Sequence, residues 1–225
     1  MSLTITRNDS DVQQDVLREL KWDPRVSETE VGVQVNQGVV ALTGFVTNYG
    51  KRLAAAEAAH RVSGVLDVAN DLEVKIPGLG RRTDAEIADS VRSSLRWDVF
   101  VPDEKIRTTV SKGWVTLEGE VDRWIQRLDA ERTIQRLAGV VGVTNNITVK
   151  ATLIDPLRVR NAIEGALSRR AEREAHGIVV KVEDGVVRLN GPVRSWGERH
   201  AVEQAAGYAQ GVRRVDSRLT VDPYL

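Results

Sequence analysis

The 225-residue chain contains no cysteine, which removes disulfides, thiolate metal sites and thiol catalysis from consideration. It has no excess charge of either sign. Thirty-two basic residues balance thirty-two acidic ones, so no global field recruits nucleic acid, and none is expected as a partner. No apolar run approaches the roughly 18 residues a membrane-spanning helix requires. The N-terminal stretch MSLTITRNDSDVQQ lacks the apolar centre of a secretory leader, so the expected location is cytoplasmic, or periplasmic if a leader has been removed. Catalytic signatures are missing as well. There is no G-x-S-x-G, no H-E-x-x-H, no phosphate loop and no calcium-loop spacing, and the acidic residues do not fall at metal-ligand intervals. An enzyme, a cofactor and a metal site are therefore not expected.

What the chain does contain is a repeat. GVVALTGFVTNYGKR begins at Gly38, GWVTLEGEVDRWIQR at Gly113 and GVVRLNGPVRSWGER at Gly185, spaced by 75 and then 72 residues. The same spacing superposes Val12, Ile87 and Val159, then Leu20, Leu95 and Leu167, and further on Gly64, Gly139 and Gly211. Each copy opens with apolar residues at helical spacing and continues with two alternating strands. A second helix follows, stopped by glycine, and a third strand closes the copy. The expected fold is α/β (α+β): three tandem α-β-β-α-β units over 9–76, 84–150 and 154–222. Each is a three-stranded mixed sheet with two helices on one face. The link KIPGLGRRTD reads as a flexible connector and KATLIDP as a shorter, stiffer one.

Two sets of glycines recur. Gly38, Gly113 and Gly185 end the runs NQG, SKG and EDG, which read as three-residue hairpin loops. Gly44, Gly119 and Gly191 fall on the core face of the second strand by period two. Opposite them helix two presents a small-residue stripe, Ala55, Ala58, Ala59 and Val62 in the first unit, so these glycines are expected to make room for that helix rather than for a ligand.

The aromatic residues recur too. Tyr49, Trp124 and Trp196 start helix two, each followed three residues later by Arg52, Arg127 or Arg199, a spacing that allows a cation–π pair. They read either as local packing or as a repeated amphipathic anchor for a membrane or partner. Trp22 and Trp97 follow helix one in the first two units. The third carries Arg169, Arg170 and Arg173 there, which is either a candidate anionic contact or a solvated helix end. The sheet face opposite the helices presents Val39, Ala41 and Phe45 in the first unit and Trp114 in the second. Such a face is expected to meet another unit or a second chain, making a homo-oligomer. The histidines His60, His176 and His200 occupy three different repeat positions, as surface residues would.

The run V-x-V-x-x-G-x-V-x-L-x-G-x-V, an Ala-rich helix and then G-V-x-x-V-x-N resembles the BON domain (bacterial OsmY and nodulation). The pattern is closest in VSKGWVTLEGEV and LAGVVGVTNNITV of the second unit; the third has Ser217 where Asn70 and Asn145 stand. That resemblance implies a non-enzymatic binding or scaffold protein of osmotic or general stress. The implied partners are anionic phospholipid surfaces or envelope proteins, met by aromatic and arginine contacts. The alternatives it implies are a cytoplasmic sensor binding potassium ion, or a chaperone-like protein-interaction module.

Overall fold

In the computed structural model, residues 7–26, 31–78, 82–150, 155–170 and 177–222 are described. The first unit runs α1 (Asp9–Trp22), β1 (Val31–Asn36), β2 (Val39–Val46), α2 (Tyr49–His60) and β3 (Asp67–Val74). The second runs α3 (Asp84–Trp97), β4 (Ile106–Ser111), β5 (Trp114–Val121), α4 (Trp124–Gln135) and β6 (Gly142–Val149). The third runs α5 (Pro156–Arg170), β7 (Val179–Glu183), β8 (Val186–Val193), α6 (Trp196–Tyr208) and β9 (Arg214–Val221). In every unit the second strand is central, antiparallel to the first and parallel to the third, so the sheets are mixed as expected. Among the described residues no helix is long and apolar enough to cross a membrane.

Each unit has its own core. Val12, Val16 and Leu20 of α1 pack with Val40, Leu42 and Val46 of β2 and with Ala55, Ala58 and Ala59 of α2. The second and third units repeat this arrangement. Both helices therefore cover one sheet face, and the other is left uncovered.

The helices start where the sequence supplies caps. Asn48 accepts from Lys51 N–H before α2, and Ser195 accepts from Glu198 N–H before α6. At α4 the Gln126 side chain reaches back to the backbone N–H groups of Asp122 and Arg123. In α1 and α3 the first residue does a second job. Asp9 accepts from the N–H groups of Gln37 and Gly38, and Asp84 from those of Lys112 and Gly113, tying helix one to the hairpin turn. Pro156 stands at this position in the third unit, and that tie is absent.

Two expectations about glycine need correcting. The hairpin loops have two residues, not three. Asn36 pairs directly with Val39, and Gln37 and Gly38 both adopt positive φ, 50° and 75°, as a type I′ turn demands. Gly119, with φ 143°, does not make room for α4. A Cβ there would collide with the Lys105 carbonyl at the start of the neighbouring strand. Gly191 meets the Gly177 carbonyl in the same way. The glycine serves a close backbone approach between strands.

Candidate functional site

The three units join through their second helices. Tyr49, the first residue of α2, packs against the core of the second unit. Trp124, the first residue of α4, packs against the core of the third unit as well as its own. Trp196, the first residue of α6, returns to the first unit and stacks on His60, the last residue of α2, with centroids 4.0 Å apart and planes 20° apart. The contacts run first to second, second to third and third to first. The N-terminus of each second helix meets the C-terminus of the next, an arrangement that also aligns opposite ends of the helix dipoles. A head-to-tail contact that returns to its start after three steps is an approximate threefold ring, in which equivalent positions share a plane normal to the axis.

The receiving position is the same in every unit and differs in identity. It is Gln135 for Tyr49, Gly207 for Trp124 and His60 for Trp196. A Cβ built on Gly50, next to Tyr49, would lie 3.8 Å from the Gln135 carbonyl oxygen. A Cβ on Gly207 would lie 2.6 Å from Cδ1 of Trp124, so only glycine admits that ring. His60 is thus not the surface residue its drift between copies suggests. His200 is exposed and within 3.0 Å of the Gln204 side chain, and His176 lies outside the described residues.

The arginines brace each second helix within its own unit. Arg127 lies 4.8 Å from the Trp124 ring centroid and donates to the carbonyls of Asn145 and Ile147. Asn145 answers by donating to the Arg127 carbonyl and to Glu131. Arg52 and Asn70 make the same reciprocal pair in the first unit. Burial lowers the Arg127 pKa and raises that of Tyr49, in keeping with groups drawn out of water. In the third unit Ser217 replaces the asparagine. Arg199 keeps its place 4.8 Å from the Trp196 ring but pairs with Glu203 instead.

The six residues that read either as local packing or as a repeated anchor lie at the starts of the second helices. Tyr49, Trp124 and Trp196 are partly buried pins between units, and Arg52, Arg127 and Arg199 brace helix two within them. Arg169 and Arg170 end α5 with side chains outside the described residues, and Arg173 lies outside them entirely. The uncovered sheet faces lie apart from the helix-two seams. Val39, Ala41 and Phe45 point away from α2, with Lys75 Nζ 3.1 Å from the Phe45 ring centroid. Trp114 lies across its own sheet, donating to Thr144, beside Asp71–Val74 of the first unit.

The ring surrounds an open cavity of about 1510 Å³. All three second helices line it, with Leu53, Leu128 and His200 at equivalent positions, and Pro24 and Arg25 contribute from the loop after α1. Among the described residues no group of three or more histidines and carboxylates is placed to hold a metal.

The most exposed large apolar side chains sit at the tips of the first helices. Trp22 is 83% exposed, Trp97 85%, Val99 88% and Phe100 73%. The tips are well anchored beneath. Asp23 is buried and paired with Arg25 and Arg61, which hold its carboxyl far below the usual range. Asp98 accepts from Thr133 and from Phe100 N–H. Val101 then returns to the core. The third unit's Arg169 stands at the repeat position of Trp22 and Trp97. The sequence showed the two tryptophans only as residues that follow helix one, and Val99 and Phe100 only as apolar residues outside the helical spacing.

A family model described as the BON domain matches the chain three times, over residues 8–76, 83–151 and 157–223. The chain is 28% identical over 147 residues to Osmotically-inducible protein Y of Escherichia coli (strain K12), covering 64% of this chain and 73% of that protein. Two solved structures of CdsD, a structural protein of the type III secretion system of Chlamydia trachomatis, also align. One is 15% identical with a TM-score of 0.28, covering 96% of this chain and all of that one. The other is 16% identical with a TM-score of 0.27, covering 94% and 92%.

Proposed function

The chain belongs to the BON-domain family, and from that premise we propose that it is a non-enzymatic scaffold of osmotic stress that binds anionic phospholipid surfaces by its helix-one tips. The observation that carries this reading is the exposure of Trp22, Trp97, Val99 and Phe100 on loops whose bases are pinned by buried Asp23 and by Asp98. Tryptophan and phenylalanine suit the boundary between headgroups and acyl chains. Large apolar side chains held rigidly in water favour an environment that removes them from it. The stress role follows the osmotically inducible relative.

One tip is a weak anchor. Burying a large apolar side chain contributes roughly 1.5–3 kcal/mol, and an interfacial position yields part of that. Tips joined through the ring can act together, so their contributions multiply in affinity. Arg169, at the repeat position of Trp22 and Trp97, would add attraction to anionic headgroups, about 1 kcal/mol near the surface.

Co-sedimentation with vesicles of phosphatidylglycerol and phosphatidylcholine, against phosphatidylcholine alone, tests the reading. The wild type should bind the anionic vesicles, and W97S/F100S should lower its partition by about tenfold, the equivalent of 1.4 kcal/mol. Failure of the wild type to sediment with anionic vesicles, or equal binding by W97S/F100S, refutes it.

A further inference from the structure

The seam that closes the ring is built unlike the other two. Three buried side-chain polar atoms have no hydrogen-bond partner among the described residues: His60 Nε2, Trp196 Nε1 and Ser217 Oγ. His60 and Trp196 stack directly across the seam between the third and first units. Ser217 stands where asparagine clamps the first turn of helix two in the other units, and its hydroxyl reaches nothing. Tyr49 and Trp124 pack against the cores of the units they enter, whereas Trp196 meets the first unit by stacking on His60. Of the three receiving residues, Gln135, Gly207 and His60, only the last can change its charge near neutral pH.

We propose that the seam between the third and first units is a proton-sensitive gate, closed while His60 is neutral and opened when it takes up a proton, so that the ring becomes an open chain of three units. Burial against α6 is the main influence on His60. The charged groups facing it are Asp67 from β3 and Glu57 from α2, which favour the imidazolium, and Arg199 from α6, which opposes it. Burial and Arg199 prevail, and the net effect lowers its pKa below the usual value.

The direction of the response follows. The closed seam holds fewer protons on His60 than the open one, so opening takes up a proton. Closure is at full strength above about pH 6.5, the ordinary histidine value, and weakens as pH falls below it toward the depressed value. Across that window the ratio of open to closed chains rises by up to about tenfold per pH unit, the limit for one proton. Opening of the seam requires no ligand at the helix-one tips.

Small-angle scattering of the full chain between pH 8 and pH 5, with far-ultraviolet circular dichroism recorded in parallel, tests the gate. The wild type and H200Q should expand below about pH 6.5 with their secondary structure intact. H60Q, which copies the residue at the first seam, should keep one radius throughout. S217N, which restores the clamp of the other units, should move the expansion to lower pH, and it decides the matter if H60Q does not fold. A wild type of constant radius, expansion of H60Q equal to wild type, an unshifted midpoint in S217N, or loss of secondary structure together with the expansion would each overturn the proposal.

Discussion

Trp124 and Gly207 offer the sharpest test of how the units are joined. The tryptophan is partly buried between two cores, with Arg127 close to its ring. Truncating a fully buried tryptophan to alanine costs about 3–5 kcal/mol, and for a partly buried one in this setting about 2–3 kcal/mol is expected. At about 2–4 °C per kcal/mol for a chain of this size, W124A should lower the thermal midpoint by about 4–12 °C. W97A provides the contrast, since that ring is 85% exposed and its loss should stay within about 0.5 kcal/mol. The decisive variant is G207A. In the wild type its methyl group would sit 2.6 Å from the indole, so the substitution should destabilise. In the W124A background that obstacle is gone, and alanine within a helix should stabilise by up to about 1 kcal/mol over glycine. Urea denaturation of the four proteins measures the sign directly. If G207A shifts stability in the same direction in both backgrounds, Trp124 is not seated on Gly207 and the head-to-tail ring is wrong.

Three further substitutions probe the supports. G119A forces a non-glycine residue to φ 143° against the Lys105 carbonyl and should cost about 1–3 kcal/mol in urea denaturation; a neutral effect would contradict the close strand approach. N145A removes the donors to the Arg127 carbonyl and Glu131 and should cost about 1–3 kcal/mol, whereas S217A, which removes a hydroxyl without a partner, should be close to neutral by the same measurement. Asp23 tests pH dependence. Its pKa is depressed chiefly by the hydrogen bond from Arg25, so its contribution is present above about pH 3.9 and is lost as pH falls through the lower folded value. D23N should therefore be less stable than wild type near pH 7, with the gap narrowing as pH drops below about 3.9; a gap constant with pH would show that the ion pairs contribute nothing.

The units themselves were readable because their determinants are local. Helical spacing, strand alternation and stop glycines all act within a few residues, and three copies repeat them. What escaped the sequence lies across space. Gly119 recurs in every copy, yet its reason is the Lys105 carbonyl just before another strand, so parity alone assigned it to the wrong neighbour. Gln37 and Lys112 gave no sign of positive φ, because only their glycine partners carry the usual signature of that turn, whereas Asp184-Gly185 carries it at both positions. Asp9 and Asp84 recur 75 residues apart and were legible as helix starts but not as turn ties. The aromatic pins were visible as a repeat while their receivers were not. His60, Gln135 and Gly207 share no chemistry, and drift at one repeat position ordinarily marks a solvent-facing residue. A search for positions whose size varies inversely with a repeated aromatic would have paired them.

That variation has a consequence for assembly. A contact surface repeated head to tail can in principle grow into filaments between molecules instead of closing within one. Here each pin fits its own receiver. Trp124 needs the bare backbone at Gly207, and a side chain at that place would meet the indole at 2.6 Å. Seated instead on Gln135 or His60 of another copy, the same ring would face a side chain where it requires none. Trp196 needs a flat partner, which Gly207 cannot supply and Gln135 supplies poorly. The mismatched seams are penalised sterically while the matched ones are not, and discrimination of this kind rests on the cost of wrong pairings as much as on the strength of right ones. Identical units would have left all seams interchangeable. Divergence at one repeat position therefore sets the order of the ring and favours closure of the chain on itself.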